Sequence, residues 1–199
     1  MSYKSMPPWH QTLGHHVYVY ENPELSAINL KDISHSLALT NRFNGHTLRP
    51  LSVAEHSIGV ASMVPKEICL EALMHDAAEA YVGDMAAPLK HLCPGYVEIE
   101  SIAHEAIANR FGLDRKIMEC DAIKHADLNA LVTEREVLKA GSCADWEVDG
   151  SYNEGYAYDL RRYKDLPWWH WRNEWLTMVT QELRHRESPR SKKSKPPRR

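Results

Sequence analysis

With 199 residues, 43% of them hydrophobic, the chain can bury one substantial core, and no linker-like stretch divides its middle, so a two-domain arrangement is not expected. The formal net charge of −3 is uneven: Arg186 to Arg199 carry +6 and the remaining body −9. Cys69, Cys93, Cys120 and Cys143 form no CxxC pair, which argues against a zinc ribbon or a secreted disulfide framework and fits a reducing cytoplasm.

The opening MSYKSMPPWHQ lacks the charged-then-apolar pattern of a signal peptide, and no run approaches the ~18 apolar residues of a membrane span, so a soluble cytoplasmic protein without membrane contact is expected. Helical signals dominate from there on. Ile33 and Leu37 at helical spacing predict a helix over Lys31 to Thr40, ended by the turn residues 41–45. Ser52 and Glu55 spell a capping box that starts a helix stopped by Pro65.

The next helix is predicted from Lys66 to about Tyr81, terminated near Gly83, and another from Tyr96 to Phe111 with Gly112 as its C-terminal cap. Asp114 caps a long helix to about Ala140, stopped by Gly141, and Trp146 to Tyr163 reads as loop. Pro167 opens a last helix to about Arg186. Its four tryptophans, Trp168, Trp169, Trp171 and Trp175, read as core or subunit packing rather than as a base-stacking platform. The expected architecture is an all-α bundle forming one body over 1–185, followed by a basic disordered tail over 186–199. That tail reads as a solvated terminus, with attachment to nucleic acid the less favoured alternative.

CLEALMHDAAEAYVGD sets His75 beside Asp76 within an apolar helix, where a buried carboxylate or imidazole costs several kcal/mol unless partnered. His56 lies on a second apolar helix and Asp127 on a third. Two imidazoles and two carboxylates suit a divalent transition metal (Zn, Co, Mn, Ni or Fe), bound between facing helices as bundles allow. Helical spacing would stack Glu79 on the face of His75, with Asp76 rotated about 100° away.

These motifs, DISHSLALTNRFNGHT, LSVAEHS, MHDAAEAYVGDMAAPLK and KHADLNAL, closely resemble the HD-domain phosphohydrolases. More narrowly, the sequence is similar to 5′-deoxynucleotidases and to phage-type dATP triphosphohydrolases. The resemblance implies metal ligation by His56, His75, Asp76 and Asp127. It implies that Glu79 is the acid that handles the attacking water and that Asp84 is a second catalytic carboxylate. Arg42 falls at a basic position near phosphate and sugar, and Phe43 stands where the nucleotidase branch has tryptophan. It further implies dimers or larger homo-oligomers.

With a metal on those ligands, Glu79 would take a proton from water or deliver one to the leaving oxygen, and Arg42 and Lys90 would hold phosphate. The expected substrate is a 2′-deoxynucleotide, split as dNMP to deoxynucleoside plus phosphate. Alternatives are release of triphosphate from a dNTP such as dATP, and a non-catalytic, metal-stabilised nucleic-acid-binding module. Cyclic-dinucleotide hydrolysis fits less well, since Gly95-Tyr96-Val97 lacks the proline of a GYP motif. The other histidines, His104 and His125 among them, read as surface or satisfied residues, with only His46, near Arg42, kept as a site candidate.

Overall fold

The computed structural model describes residues 7–139, 146 and 148–188, and among these the fold is all-α apart from one short hairpin. The hairpin pairs β1 (Trp9–Gln11) antiparallel with β2 (Val17–Val19), and the Tyr18 ring stacks on Tyr81 at 4.0 Å. α1 (Leu30–Leu39) begins where the Asn29 side chain accepts the Asp32 amide, and it buries Ile33 and Leu37, one turn apart. A tight turn over Arg42–Gly45 follows, with Phe43 and Asn44 at φ 56° and 51°. α2 (Val53–Ser62) is capped by Ser52, whose hydroxyl accepts the Glu55 amide. Only that half of the expected capping box forms, because Arg49 holds the Glu55 carboxylate with two bonds of 2.9 and 2.7 Å.

The helix expected from Lys66 to Tyr81 is broken at the His-Asp doublet into α3 (Cys69–Met74) and α4 (Glu79–Val82). The Ala72 carbonyl, which a continuous helix would offer to the Asp76 amide, accepts instead from His75 Nδ1 at 2.8 Å. The backbone then tightens into bonds three residues apart, Ala77 to Met74 and Glu79 to Asp76. Because side chains three apart eclipse in such a turn, Glu79 aligns with Asp76 rather than with His75, which corrects the expected facing.

After α5 (Ala87–Lys90), α6 (Pro94–Phe111) ends at Gly112 in the left-handed region (φ 65°), as its sequence predicts. The single helix expected after Asp114 is two. α7 (Arg115–Met118) is capped by Asp114, and α8 (Asp121–Leu138) starts afresh because Cys120 takes extended backbone, φ −71° and ψ 157°. Gly141 and Cys143 lie outside the described residues.

The stretch read as loop contains α9 (Glu154–Arg162), capped by Asn153 and burying Tyr156, Ala157 and Leu160. Tyr156 packs so closely on α2 that a Cβ at Gly59 would lie 2.3 Å from its ring, so Gly59 is what admits it. α10 (Trp168–Glu187) starts at Pro167 and crosses α1, α2 and α3. Trp171 and Trp175 are buried, and Trp175 Nε1 donates to the Leu73 carbonyl at 2.9 Å, whereas Trp168 and Trp169 are 40% and 51% exposed. The helix carries Arg186 and Glu187, which the sequence assigned to the tail. Arg186 is structural, its guanidinium bound to the buried Glu71 carboxylate of α3. Residues 189–199 lie outside the described part. No described helix is long and apolar enough to cross a membrane.

Candidate metal centre

α2, the turn after α3, and α8 converge on one point. His56 is fully buried in α2, and the ligand atoms of His56, His75 and Asp76 all lie within 4.8 Å of one another. Asp76 Oδ2 is 3.1 Å from His75 Nε2 and 3.5 Å from His56 Nε2, and Asp127 Oδ1 is 3.1 Å from His56 Nε2. His56, His75 and Asp76 are thus brought together, and Asp127, on the half-exposed side of α8, reaches His56 but falls outside that three-residue group.

Each imidazole is committed at its other nitrogen. His56 Nδ1 donates to Glu134 Oε1 at 2.7 Å and His75 Nδ1 to the Ala72 carbonyl, so on each ring Nε2 is the atom that faces the cluster, a lone pair for a cation when the ring is neutral and an N–H towards the carboxylates when it is protonated. Both Nε2 atoms are buried without a hydrogen-bond partner. Two orphaned nitrogens aimed at shared carboxylates are the donor set a divalent cation needs, and Nδ1 bonds to a carboxylate and a carbonyl are the outer contacts that orient such ligands. The residues present therefore fit a metal.

Glu134 is the residue the sequence reading missed. It is fully buried in α8, receives Arg42 Nε at 3.0 Å and Tyr156 OH at 2.8 Å as well as His56, and so ties α2, α8, α9 and the 42–45 turn together. Burial opposes its ionisation, yet Arg42 and His56 hold its carboxyl below the usual range. Arg42 also stands 3.8 Å from Asp76.

Glu79 is buried with Oε2 unpartnered. Burial first, then the carboxylates of Asp76 and Asp84, push its pKa well above the ordinary value, so it retains a proton that an exposed glutamate would release. Asp84 follows Gly83, whose φ of 84° turns the chain out of α4; burial raises this carboxyl too, against the opposing charge of Arg42. Lys90 bonds Glu100 at 2.7 Å, so its charge is already paired at the rim. Phe43, held in the left-handed region that bulky residues rarely adopt, packs near Arg42, Lys139 and Trp146. His46 accepts the Lys139 ammonium on its carbonyl.

In the metal-free protein, burial and Arg42 disfavour His56 protonation, but Glu134 and Asp127 outweigh them and raise its pKa to about 9. A raised folded-state value means that this stabilisation is complete below the unfolded pKa of 6.5 and is lost as pH climbs through 9. Chelator-treated protein should therefore lose on the order of 3 kcal/mol between those pH values. Thermal melts across that range should show a falling Tm. A flat profile would mean that His56 does not bind the proton in the folded state.

Fold and site together define a helical protein with a candidate divalent-metal centre between its helices. No family model matches the chain. Over 135 residues it is 40% identical to the uncharacterized protein YfdR of Escherichia coli (strain K12), covering 68% of this chain and 74% of that protein. It is 35% identical over 136 residues to the uncharacterized protein RCAP_rcc00048 of Rhodobacter capsulatus, covering 62% and 69%. The chain belongs to the family of these two proteins.

Proposed function

We propose that this protein is an HD-type, metal-dependent phosphohydrolase that cleaves 5′-phosphate linkages of 2′-deoxynucleotides, in its simplest form dNMP to deoxynucleoside plus phosphate. The supporting observation is the pair of buried, unpartnered Nε2 atoms of His56 and His75 beside Asp76, with a protonatable Glu79 aligned on the same turn. The motif order in the sequence supports the same reading.

His56, His75 and Asp76 would hold the ion, with Asp127 completing the set. When bound, a divalent cation supplies Lewis acidity, lowering the pKa of water and offsetting phosphate charge. Glu79 in its ionised form takes the proton of the attacking water, and in its protonated form gives one to the leaving 5′ oxygen. Asp84 sets that balance, because its charge beside Glu79 favours the protonated form. Arg42 offers a guanidinium anchored through Nε to Glu134, and its Nη1, 3.8 Å from Asp76, is near enough to the metal-type ligands to serve a phosphate oxygen held there.

The test is a product assay on metal-stripped protein resupplied separately with Mn, Co and Zn, against dNMPs, dNTPs and ATP. Nucleoside accumulating from deoxynucleotides only when metal is restored is the expected result; no product with any metal would overturn the reading.

A further inference from the structure

The segment that carries Asp84 is tied down at both ends by one helix. It leaves α4 at Gly83, whose φ of 84° turns the chain outward, and becomes helical again as α5, which ends at Lys90. Asp84 and Met85 make no hydrogen bond of their own among the described residues, so their placement depends on what holds the two ends.

Both ends meet the same face of α6. Tyr96 Oη donates to the Gly83 carbonyl at 2.7 Å, and Lys90 Nζ donates to Glu100 Oε1 at 2.7 Å. Tyr96 and Glu100 are four residues apart, hence neighbours one turn apart on the helix. The Lys90 ammonium lies 5.6 Å from the Tyr96 ring centroid and Glu100 Oε1 is 3.3 Å from Tyr96 Oη, so the three side chains form one unit. The phenol has a single proton, and the nearer Gly83 oxygen takes it. The Lys90 and Glu100 side chains are only 28% and 13% exposed, so their pair is more sheltered than an ordinary surface ion pair. α6 is a firm post for the unit, because Ala103, Ala106 and Ile107 further along it are buried in the core.

The Gly83 carbonyl lies in the peptide plane that also holds the Asp84 amide. Fixing that oxygen therefore fixes the direction in which Asp84 leaves, and the charge of Asp84 reaches Glu79.

We propose that Tyr96, Glu100 and Lys90 form a clamp that fixes Asp84 beside Glu79 and on which turnover depends, so that Lys90 is a positioning residue and not a phosphate ligand. This rests on the phosphohydrolase reading above.

The experiment compares Mn-loaded full chains of wild type, Tyr96→Phe, Asp84→Asn, the two combined, Lys90→Ala and Lys90→Arg. Steady-state hydrolysis of dAMP is measured together with amide hydrogen exchange across α5, where the Leu89 amide donates to the Ala86 carbonyl. Tyr96→Phe should lower kcat about tenfold, as expected for one hydrogen bond, with KM and retained Mn unchanged. It should add nothing in the Asp84→Asn background, because the two changes break the same arrangement. Lys90→Ala should lower kcat likewise and Lys90→Arg restore it, and both Tyr96→Phe and Lys90→Ala should speed exchange across α5. An unchanged kcat in Tyr96→Phe, an equal loss with and without the Asp84 carboxylate, or a raised KM at constant kcat in Lys90→Ala would overturn the clamp. Wild-type turnover with unaltered variants removes the clamp alone. Faster exchange in the variants, without turnover by any of the proteins, removes the phosphohydrolase reading and leaves the Asp84 segment clamped to α6.

Discussion

Replacing Glu79 by glutamine is expected to lower turnover by about 10²–10⁴-fold while leaving metal binding intact, the range that a positioned general acid or base contributes. The substitution keeps the size of a side chain that is only 6% exposed and removes its ability to gain or lose a proton. It should also relieve repulsion, because burial and the carboxylates of Asp76 and Asp84 already press Glu79 towards its neutral form. A thermal stability equal to or above that of wild type should therefore accompany the loss of activity. Steady-state kinetics with Mn restored, alongside urea titration, checks both halves. Retained turnover would remove Glu79 from the chemistry, and lost activity with lost metal would make it a ligand instead.

Glu134→Gln should act differently, weakening metal binding and the fold together. The glutamine carbonyl can still accept from His56 Nδ1 or Tyr156, but Arg42, with 11% of its side chain exposed, loses its main counter-charge. Leaving one partner of a buried ion pair uncompensated costs about 3–5 kcal/mol, and losing a group that orients a ligating histidine typically costs 10–100-fold in metal affinity. Urea denaturation of the metal-free variant reads the first effect and equilibrium dialysis of Mn the second. A variant unchanged in both would show that Glu134 neither orients His56 nor stabilises Arg42.

The local signals that were legible are those written in short-range chemistry. Ser52 accepts its third-residue amide, Asp114 caps α7, Gly112 takes the left-handed ending, and Pro167 starts the last helix. The four metal-type side chains were legible because His56, His75, Asp76 and Asp127 are polar on apolar helices. What escaped depends on partners distant in sequence or on one side chain bonding its own backbone. His75 capturing the Ala72 carbonyl breaks a helix whose apolar pattern runs straight through. The charged residues Glu154, Arg161 and Arg162 disguised α9, although Tyr156, Ala157 and Leu160 keep helical spacing.

Glu134 left a usable trace. It lies seven residues, two turns, after Asp127 with buried Ala130 between them, so a carboxylate on the buried face of α8 signals a partner.

The most direct measurement is a cobalt titration of chelator-treated protein, followed by visible absorption and by the metal retained after desalting, for wild type and His75→Ala. About one ion should be retained per wild-type chain, with the enhanced visible bands of a low-symmetry protein site, and none by the variant. Wild-type protein that gives only the weak spectrum of aqueous cobalt and keeps no ion after desalting would contradict the metal centre on which the rest depends.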